Sequence, residues 1–559
     1  MVYLVGGNPL IPSEKYKVAT VKECLDYFQD IKMIAVDTET KGKDAHVKRI
    51  LTLQLGTPKD QFVVDCRKVD IKLFKELLET KHLILHNAKF DYKFFKAAGI
   101  NLNKIWDTML AECVLYCGYV KYGYGLANLC KRYCDIDMSK ETRGDFFKIE
   151  DQDFTDSQIL YAAKDVEHLH TIGKLQDMKI REYGLSYCVN IENEAVKAFG
   201  DIEFNGMFLN SQKWFENAKS YEKDLDAITV KLDEVVLNEP KLAKFVIPLQ
   251  GNLFGFAERR VNINYASPSQ VLEICQLLGF NLESTNDQVI SKLVKRDDKG
   301  GIISTEHAFF PLLQDFRSTS KIVTTYGENF LNYINSHTGR VHTSFWQVLA
   351  TGRCSSGSEE DNSPNLQNIP STNNFRNCFE ARPGFKWVSI DYSAQELRLM
   401  AEGSSEEGFI DTLNRGEDLH CFVGSMMFKR PITEKDKDLR TKAKTINFGK
   451  PYGMGPPKLA NQLSIPIQEA EELFEVYGKA FPKLNRWLAN QARFAKTMGY
   501  SRTFSPCQRI RWYPDIKKAK AMRQEEDKNW REIFKIEGEA ERCGMNQPIQ
   551  GRLSANCPV

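Results

Sequence analysis

The segment Asp-Tyr-Ser-Ala-Gln-Glu-Leu-Arg, which begins at Asp391, carries two carboxylates, Asp391 and Glu396. The short apolar run at 388–390 predicts a strand that ends at Asp391, and Glu396 follows at the predicted start of a helix. A carboxylate at a strand end can hold a divalent cation, whereas a lone aspartate in this position more often caps a helix. The segment by itself is therefore compatible with a metal site and with a simple cap.

A second segment places two cations and two aromatic rings at a constant spacing, in the order Arg440, Lys444, Phe448 and Tyr452. In a helix this spacing stacks the four side chains along one face. Such a face can bind a triphosphate through its cations and a base through its rings. The alternative is an ordinary solvated helix surface, which two cations at helical spacing usually indicate.

A third set of residues, nearer the N-terminus, combines carboxylates with short apolar runs. Asp37 and Glu39 follow the run Met-Ile-Ala-Val, and the alternation of a strand points both to the same side, where they can bridge two metal ions. Asp91 follows a second apolar run, His-Leu-Ile-Leu, whereas Tyr161 and Asp165 stand one helical turn apart. Each piece alone is a common pattern, so the conjunction of the pieces carries the interpretation.

These residues need rigid elements to position them, and the chain is long enough to provide several. With 559 residues, of which 42% are hydrophobic and 27% charged, it is expected to form about three or four globular domains. Residues 30–180 alternate apolar strands with helical stretches, as in an α/β sheet domain. Residues 190–335 are mainly helical in pattern, and residues 338–370 are rich in Gly, Ser, Asn and Pro, which favours loops.

Composition and targeting signals restrict the class of protein. No run of 18 apolar residues is present to cross a membrane, and the first residues lack the basic and apolar regions of a signal peptide. The 14 cysteines are scattered through apolar segments, which suits reduced, buried thiols. We therefore expect a protein without membrane association in a bacterial or phage-infected cytoplasm, with an organelle as the alternative.

The net charge of +2 conceals an uneven distribution. From Lys429 to Lys458 nine Lys or Arg stand against three acidic residues, so this window carries 9 − 3 = +6. From Tyr500 to Lys535 ten stand against five, so this window carries +5. Basic stretches interleaved with aromatic residues suit contact with a phosphate backbone and with bases, although ordinary helix surfaces remain an alternative for the second window.

The first two segments resemble motifs A and B of the family A DNA polymerases, the DNA polymerase I type. The resemblance implies that Asp391 is a catalytic metal ligand and that Glu396 with Tyr452 forms a steric gate against a ribose 2′-OH. It further implies nucleotide binding by a cationic and aromatic set, in which Lys444 is also catalytic: His420, Arg440, Lys444 and Phe448.

The N-terminal set resembles the Exo I, Exo II and Exo III motifs of the DEDDy 3′→5′ exonucleases. By this resemblance four acids hold two Mg²⁺ ions, with Mn²⁺ as a possible substitute, while Tyr161 orients the attacking water. The four acids are Asp37, Glu39, Asp91 and Asp165. Asp107 also falls in this region and is expected to be structural rather than catalytic.

The family resemblance extends to residues that would contact primer-template DNA. Arg317 and Lys321 stand one turn apart where the family contacts the DNA backbone, although a solvated pair is the alternative. Arg353, in a Thr-Gly-Arg element, would lie at the primer end. The remaining expected DNA contacts are amides of the loop region and polar residues of a C-terminal helix: Asn365, Gln367, Asn368, Arg542, Asn546 and Gln550.

The predicted fold is therefore a multidomain combination of α/β and α+β architecture. A ribonuclease-H-like exonuclease domain is followed by a right-hand polymerase of thumb, palm and fingers. The expected boundaries are 1–185 for the exonuclease, 186–335 for the thumb, 336–410 for the palm with motif A, 411–530 for the fingers with motif B, and 531–559 for the start of a returning palm helix.

Two departures from the family pattern affect these expectations. The third polymerase motif, His-Asp-Glu, is absent from this sequence, since no His follows His420. A site with two metal ions needs a second carboxylate opposite Asp391, so the palm is expected to be incomplete and polymerisation to be crippled in this polypeptide alone. In motif B, Pro451 precedes Tyr452 and is expected to bend the helix.

Three explanations for the missing motif remain open. A second polypeptide could supply it, the reading frame could be interrupted or truncated, or the protein could be retained for its exonuclease and DNA binding. The expected function is a template-dependent DNA polymerase with a proofreading 3′→5′ exonuclease, which uses primer-template DNA, dNTPs and a partner chain. The alternative is an exonuclease and primer-template binding protein without independent polymerase activity.

Overall fold

The computed structural model describes residues 1–8, 13–119, 122–138, 146, 152–248, 259–296, 300–371, 374–463 and 465–556. The chain divides into two compact units. The large unit comprises Met1–Asn205, Ser344–Asp361 and Val388–Val559, and the small unit comprises Gly206–Thr343 and Asn362–Trp387.

The first part of the large unit is built on a seven-stranded sheet of the order β2-β1-β5-β4-β3-β6-β7. Its strands are β1 (Val2–Val5), β2 (Lys17–Ala19), β3 (Met33–Thr40), β4 (Ile50–Gly56), β5 (Gln61–Asp65), β6 (His82–Leu85) and β7 (Lys104–Asp107). Strand β3 pairs antiparallel with β4 and parallel with β6. Because β3 is hydrogen-bonded on both sides, the side chains that it carries have fixed positions.

Helices pack on this sheet and provide the other predicted exonuclease residues. They are α1 (Val21–Phe28), α2 (Lys75–Thr80), α3 (Ala88–Ala97), α4 (Thr108–Leu115), α5 (Leu126–Cys134), α6 (Asp156–Glu167), α7 (Leu169–Glu182) and α8 (Ser186–Asn205). Helix α6 begins with a capping box in which the Thr155 side chain and Gln158 bond each other's backbone N–H. This cap fixes the start of the helix that carries Tyr161 and Asp165.

The small unit combines long helices with short antiparallel strand pairs. Its elements are β8 (Met207–Phe208), α9 (Ser211–Asn238), β9 (Val246–Pro248), β10 (Arg259–Val261), α10 (Pro268–Leu277), α11 (Asp287–Ile290), β11 (Val294–Arg296), β12 (Ile302–Thr305), α12 (Phe309–Tyr326), β13 (Ile334–Asn335) and β14 (Arg340–Val341). Trp214 of α9 is fully buried and stacks on Phe330 at 4.3 Å between ring centroids. The helices predicted within 190–335 are present, including a helix start at Ser267 and Pro268, whereas the short strands β8 to β13 in this region were not predicted.

The rest of the large unit is mainly helical. Its elements are β15 (Phe345–Trp346), β16 (Ser355–Ser356), α13 (Gln395–Ser404), α14 (Glu407–Asn414), α15 (Leu419–Phe428), α16 (Lys437–Gly449), α17 (Pro456–Leu463), α18 (Ile467–Ala480), α19 (Pro482–Met498), β17 (Tyr500–Arg502), β18 (Ile510–Trp512), α20 (Asp515–Met522) and α21 (Trp530–Asn556). Helices α19 and α21 approach closely at Gly544, where an added Cβ would lie 2.3 Å from the Cβ of Ala495. Because residue 544 is a glycine, α21 can pack closely against α19. In this position Gln550 of α21 reaches Glu396 of α13.

The expected combination of α/β and α+β architecture is confirmed, with one local correction. No strand forms at 388–390, and Val388 and Ile390 are 76% and 87% exposed. A strand needs a hydrogen-bonded neighbour, and no described residue pairs with this segment. Asp391 therefore follows a segment that is not part of a described sheet.

Helix α16 ends at Gly449, so it carries Arg440, Lys444 and Phe448 but not Tyr452, which lies in a following 3-10 turn. Pro451 explains this end, because it has no backbone N–H to donate and its ring clashes with the carbonyl four residues earlier. The α-helix therefore ends just before this proline, and the predicted continuous stack of four residues is corrected at its last member, Tyr452. In the described part of the chain, no helix is long and apolar enough to span a membrane.

Candidate functional sites

Three of the predicted exonuclease acids meet at one point of the large unit. Asp37 and Glu39 lie on β3, and Asp165 lies on α6, which packs against that strand. One carboxylate oxygen from each of the three residues lies within 4.8 Å of the others. Oxygen atoms at this spacing fit a hard divalent cation, since such ions take carboxylate ligands at short range.

The fourth acid, Asp91, is held differently. It lies in the first turn of α3, is 2% exposed, and accepts a hydrogen bond of 2.6 Å from the Thr38 hydroxyl on β3. Burial raises the pKa of Asp91 to about 7, against the effect of the Thr38 bond. Asp91 is not a member of the described group of three acids, and its hydrogen bond joins it to Thr38, which lies between Asp37 and Glu39 on β3.

Asp107 is structural, as expected, and it sets the position of Asp91. Its carboxylate accepts hydrogen bonds from Met109 and Leu110 at 2.8 and 3.2 Å, which caps α4. The same carboxylate accepts bonds from Asn87 and Ala88 at 3.1 and 2.8 Å, at the start of α3. One buried acid therefore anchors the beginnings of two helices, and α3 carries Asp91.

Tyr161 occupies α6 one turn before Asp165, as the sequence indicated. Its ring lies 6.1 Å from that of Phe146, and the side chain is partly exposed. Tyr161 therefore lies on the same helix face as Asp165, one of the three grouped acids.

In the later part of the large unit, Glu396 and Tyr452 are brought together. The Tyr452 hydroxyl donates to Oε1 of Glu396 at 3.2 Å, although the residues are 56 positions apart. Gln550 of α21 donates to the same oxygen at 2.6 Å and also contacts the Tyr452 hydroxyl. Nη2 of Arg353 lies 3.7 Å from this oxygen. The predicted pair of Glu396 and Tyr452 and the separately predicted residues Arg353 and Gln550 therefore form one polar cluster.

The cations of α16 have different environments. Arg440 donates from Nη2 and Nε to Oδ2 of Asp418 at 2.6 and 3.2 Å. Asp418 also caps α15 by accepting a bond of 2.8 Å from the Cys421 N–H. Lys444 is exposed, with its Nζ 6.0 Å from the centroid of the Phe448 ring. Arg440 is thus oriented by an acid at the start of a neighbouring helix, whereas Lys444 projects towards solvent.

Asp391 contrasts with the exonuclease acids, since it is exposed on the unpaired segment. Within the described ranges it belongs to no group of three or more His, Cys, Asp or Glu ligands. Its predicted role as a metal ligand therefore depends on a further carboxylate.

The DNA-contact residues predicted for the small unit are mostly engaged within that unit. The Arg317 guanidinium donates to the backbone oxygen and the hydroxyl of Thr285. Lys321, on the same helix, is exposed and makes no ion pair with the residues that the structure describes. Asn365 caps a short turn by accepting the Gln367 N–H at 3.0 Å, and that turn contains Gln367 and Asn368.

The predicted contacts on α21 lie on the same helix at two different exposures. Arg542 is exposed, whereas Asn546 and Gln550 are 8% and 2% exposed. Asn546 and Gln550 stand one turn apart, so both face the Glu396 side of the helix.

Sequence reasoning missed several residues that shape these sites. Thr38 gave no signal, because its partner Asp91 is 53 positions away. Asp418 carried the pattern of a helix cap but was not assigned as the partner of Arg440. Asn447 interrupts the buried stripe of α16 beside Ile446, and a polar residue on an apolar stripe is a signal that could have been used.

Comparison with known proteins identifies the family to which the chain is similar. Residues 240–556 match the family model described as DNA polymerase family A, and residues 16–178 match the model described as 3′-5′ exonuclease. The chain is 26% identical to DNA polymerase I of Borreliella burgdorferi over 567 residues, which cover 96% of this chain and 56% of that protein. It is 31% identical to the thermostable DNA polymerase I of Thermus aquaticus over 58% of this chain and 38% of that protein.

A third relative, DNA polymerase I of Caldicellulosiruptor bescii, is 32% identical over 59% of this chain and 37% of its own length. The chain thus spans about half or less of the length of these relatives. A solved structure of the POL domain of Pol1 from M. smegmatis, in complex with DNA primer-template and dNTP, matches with a TM-score of 0.74 and 22% identity, over 99% of this chain and 87% of that chain. Because the polymerase model matches more than half of the sequence, the chain belongs to DNA polymerase family A.

Proposed function

We propose that this chain binds primer-template DNA, hydrolyses DNA 3′ ends with its exonuclease region, and contributes a polymerase site that adds dNTPs to a primer. The observation that carries the proposal is the group formed by Asp37, Glu39 and Asp165, whose carboxylate oxygens lie within 4.8 Å of one another. The family membership and the exonuclease match support the same activities. We assign 1–185 to an exonuclease domain, 186–335 to a thumb, 336–410 to a palm, 411–530 to fingers and 531–559 to a returning palm helix.

In the exonuclease region, Mg²⁺ is the proposed metal, and Mn²⁺ would be a substitute. Asp37, Glu39, Asp91 and Asp165 would hold it, and the metal, when bound, supplies an activated water and neutralises charge on the scissile phosphate. Thr38 keeps the Asp91 carboxylate in place through its hydrogen bond. Tyr161 would orient the attacking water from the next turn of α6.

In the polymerase region, the residues around Glu396 define where a nucleotide would lie. Glu396 and Tyr452 form a bonded pair, and Gln550 and Arg353 hold the same carboxylate oxygen. A closed pair of this kind leaves no room for a ribose 2′-OH, which would select deoxynucleotides. The triphosphate and base would be bound by the residues of α15 and α16: His420, Arg440, Lys444 and Phe448.

The site of Asp391 supports a further proposal about its missing partner. The segment that carries Asp391 exposes an apolar run, with Val388 and Ile390 at 76% and 87% exposure. Apolar residues of an extended segment are stabilised when a neighbouring strand pairs with the backbone and covers the side chains. We propose that a strand bearing a carboxylate pairs here and completes the metal site, supplied by a second polypeptide or by chain outside this sequence.

The exonuclease proposal is tested by incubating the purified chain with 5′-labelled single-stranded DNA and Mg²⁺. Stepwise shortening from the 3′ end is expected, and the Asp165→Ala variant should not shorten the DNA. Equal shortening by both proteins would assign the activity to a contaminant and refute the proposal. A matched Asp391→Ala variant should retain the exonuclease rate, because Asp391 is absent from the described acid group.

The polymerase proposal is tested by primer extension with the 559-residue chain alone and mixed with a polypeptide that carries the acidic hairpin. We expect extension only in the mixture. Full extension by the chain alone would overturn the need for a completing strand. If neither sample extends the primer but the chain still binds primer-template DNA, the alternative of an exonuclease and DNA-binding protein is favoured. The exposed position of Asp391 is consistent with that alternative.

A further inference from the structure

Beneath the proposed nucleotide-binding face, three helices contribute to a buried polar chain. His420 lies at the start of α15, Asn447 on α16, and Tyr477 on α18. Asn447 and Tyr477 are fully buried, and His420 is 9% exposed. Nδ2 of Asn447 lies 3.1 Å from Nδ1 of His420, and the Tyr477 hydroxyl donates to Oδ1 of Asn447 at 3.2 Å.

The direction of these bonds follows from counting donors and acceptors. With the amide of Asn447 in this orientation, the Tyr477 proton reaches Oδ1, and an Asn447 N–H reaches the lone pair of Nδ1. If the amide were reversed, Tyr477 would accept a bond and its own buried O–H would lose its acceptor, since the described residues offer it no other hydrogen-bond partner. A buried donor without a partner is costly, so the first arrangement is favoured.

The electrostatic surroundings of His420 favour the uncharged ring. Burial lowers the pKa of His420 to about 4, and the positive charges of Arg440 and Lys444 act in the same direction. Asp418 opposes this effect, but its carboxylate is already bonded to Arg440. At neutral pH the imidazole therefore carries a single proton, and a ring whose Nδ1 accepts a hydrogen bond carries that proton on Nε2.

We infer that Asn447 and Tyr477 are positioning residues that hold His420 as the neutral Nε2–H tautomer, so that Nε2–H donates a hydrogen bond to a phosphate oxygen of the incoming dNTP. The inference rests on the proposed polymerase function for its ligand, whereas the tautomer itself is a property of the free protein. A neutral donor beside Arg440 and Lys444 adds a directed hydrogen bond without a third positive charge. The proton stays on the ring, so the phosphate contact is a binding interaction and not a proton transfer.

The first test measures the tautomer in the full chain without nucleotide. The protein is labelled with ¹⁵N-histidine, and the ring signals of His420 are assigned by comparison with a His420→Gln variant. At pH 7 we expect a proton bonded to Nε2 and an unprotonated Nδ1. A proton on Nδ1, or rapid averaging of the two nitrogens, would overturn the inference and leave the proposed function untouched.

The Tyr477→Phe variant removes only the hydroxyl that orients the Asn447 amide. We expect a mixed tautomer signal for His420 in this variant. The matched control is Tyr265→Phe, which removes a buried hydroxyl bonded to Asp233 at 2.6 Å in the small unit. The control should leave the His420 signal unchanged. An equal change in both variants would indicate a general loss of structure and would contradict a specific effect of Tyr477 on His420.

The second test measures the dissociation constant of Mg²⁺-dATP by equilibrium dialysis. Tyr477→Phe is expected to weaken binding about 3- to 10-fold, but to have no further effect in a His420→Ala background, because residues that act through one contact are not additive. A full additional loss in that background would overturn the inference. If the wild-type chain binds no dATP, the proposed nucleotide site is refuted. The tautomer measurement still decides whether Asn447 and Tyr477 hold His420 as the Nε2–H tautomer.

Discussion

The exonuclease acids and Asp391 are carried by segments of similar sequence but very different structure. Asp37 and Glu39 follow an apolar run on β3, which is hydrogen-bonded to β4 and β6, and Val36 of that run is fully buried. Asp391 follows the shorter run Val-Ser-Ile, but Ile390 is 87% exposed and the segment has no strand partner in the described ranges. An apolar run before an acid therefore positions that acid only when neighbouring strands hold the run.

Both regions also contain ionisable side chains that are shielded from solvent. The exonuclease region buries carboxylates, such as Asp91 and Asp107 at 2% and 1% exposure. In the later part of the large unit, the Nζ of the half-buried cation Lys450 lies 5.1 and 5.0 Å from the ring centroids of Phe474 and Tyr477.

The largest effect is expected when an acid is removed from the exonuclease group. Asp165→Ala should lower the rate of 3′ shortening at least about 1,000-fold, since metal-assisted charge stabilisation contributes several kcal/mol. The rate is measured with single-stranded DNA at saturating Mg²⁺. A similar decrease in the Asp391→Ala variant would contradict the conclusion that Asp391 is separate from the exonuclease group.

A smaller but still large effect is expected from the structural acid Asp107. Asp107→Ala removes the acceptor of four backbone N–H groups and should destabilise the large unit by about 3 kcal/mol. The change is measured by urea unfolding monitored by tryptophan fluorescence. Asp177→Ala, which removes an exposed partner of Arg181, is the matched control and should change stability by less than about 0.5 kcal/mol.

The half-buried cation Lys450 predicts a stability effect that depends on pH. Burial lowers the pKa of Lys450 from 10.5 to about 8, which corresponds to a cost of about 3 kcal/mol for the charged form. Contact with two rings offsets about 1 kcal/mol of this cost. Lys450→Met should therefore stabilise the protein by about 2 kcal/mol at pH 7.

The sign of that effect follows from linkage. Above pH 10.5 the lysine is neutral in both the folded and unfolded states, so the variant should match the wild type there. The destabilisation of the wild type by Lys450 increases as pH falls from 10.5 to about 8 and reaches its full value below that range. Melting temperatures at pH 7, 9 and 10.5 measure it, and a difference independent of pH would attribute the effect to packing alone.

The smallest effect is expected at the exposed run before Asp391. Ile390→Lys should change the free energy of unfolding by less than about 0.5 kcal/mol, because the side chain is 87% exposed. Val36→Lys is the matched change in the paired strand and should cost more than about 4 kcal/mol. Similar costs at the two positions would show that the run at 388–390 is covered in solution.

Local patterns predicted most of the elements that carry the sites. The turn of helix between Tyr161 and Asp165, the strand that ends near Glu39, and the helix start at Glu396 each follow from residue types within a few positions. The end of the regular α-helix near Pro451 also has a local cause, since proline lacks a backbone N–H. The prediction of a strand at 388–390 was wrong, because strand formation depends on neighbouring strands that the residues of the segment do not specify.

By itself, the sequence determined the family, the identity of the candidate acids and the helical spacing of Arg440, Lys444 and Phe448. The tertiary structure decided which of these residues share a site, because those contacts join positions far apart in the chain. Thr38 meets Asp91 across 53 positions, and Glu396 meets Gln550 across 154. It also decided that Asp37 is held by a paired strand and Asp391 is not, since strand pairing and burial are properties of the whole fold.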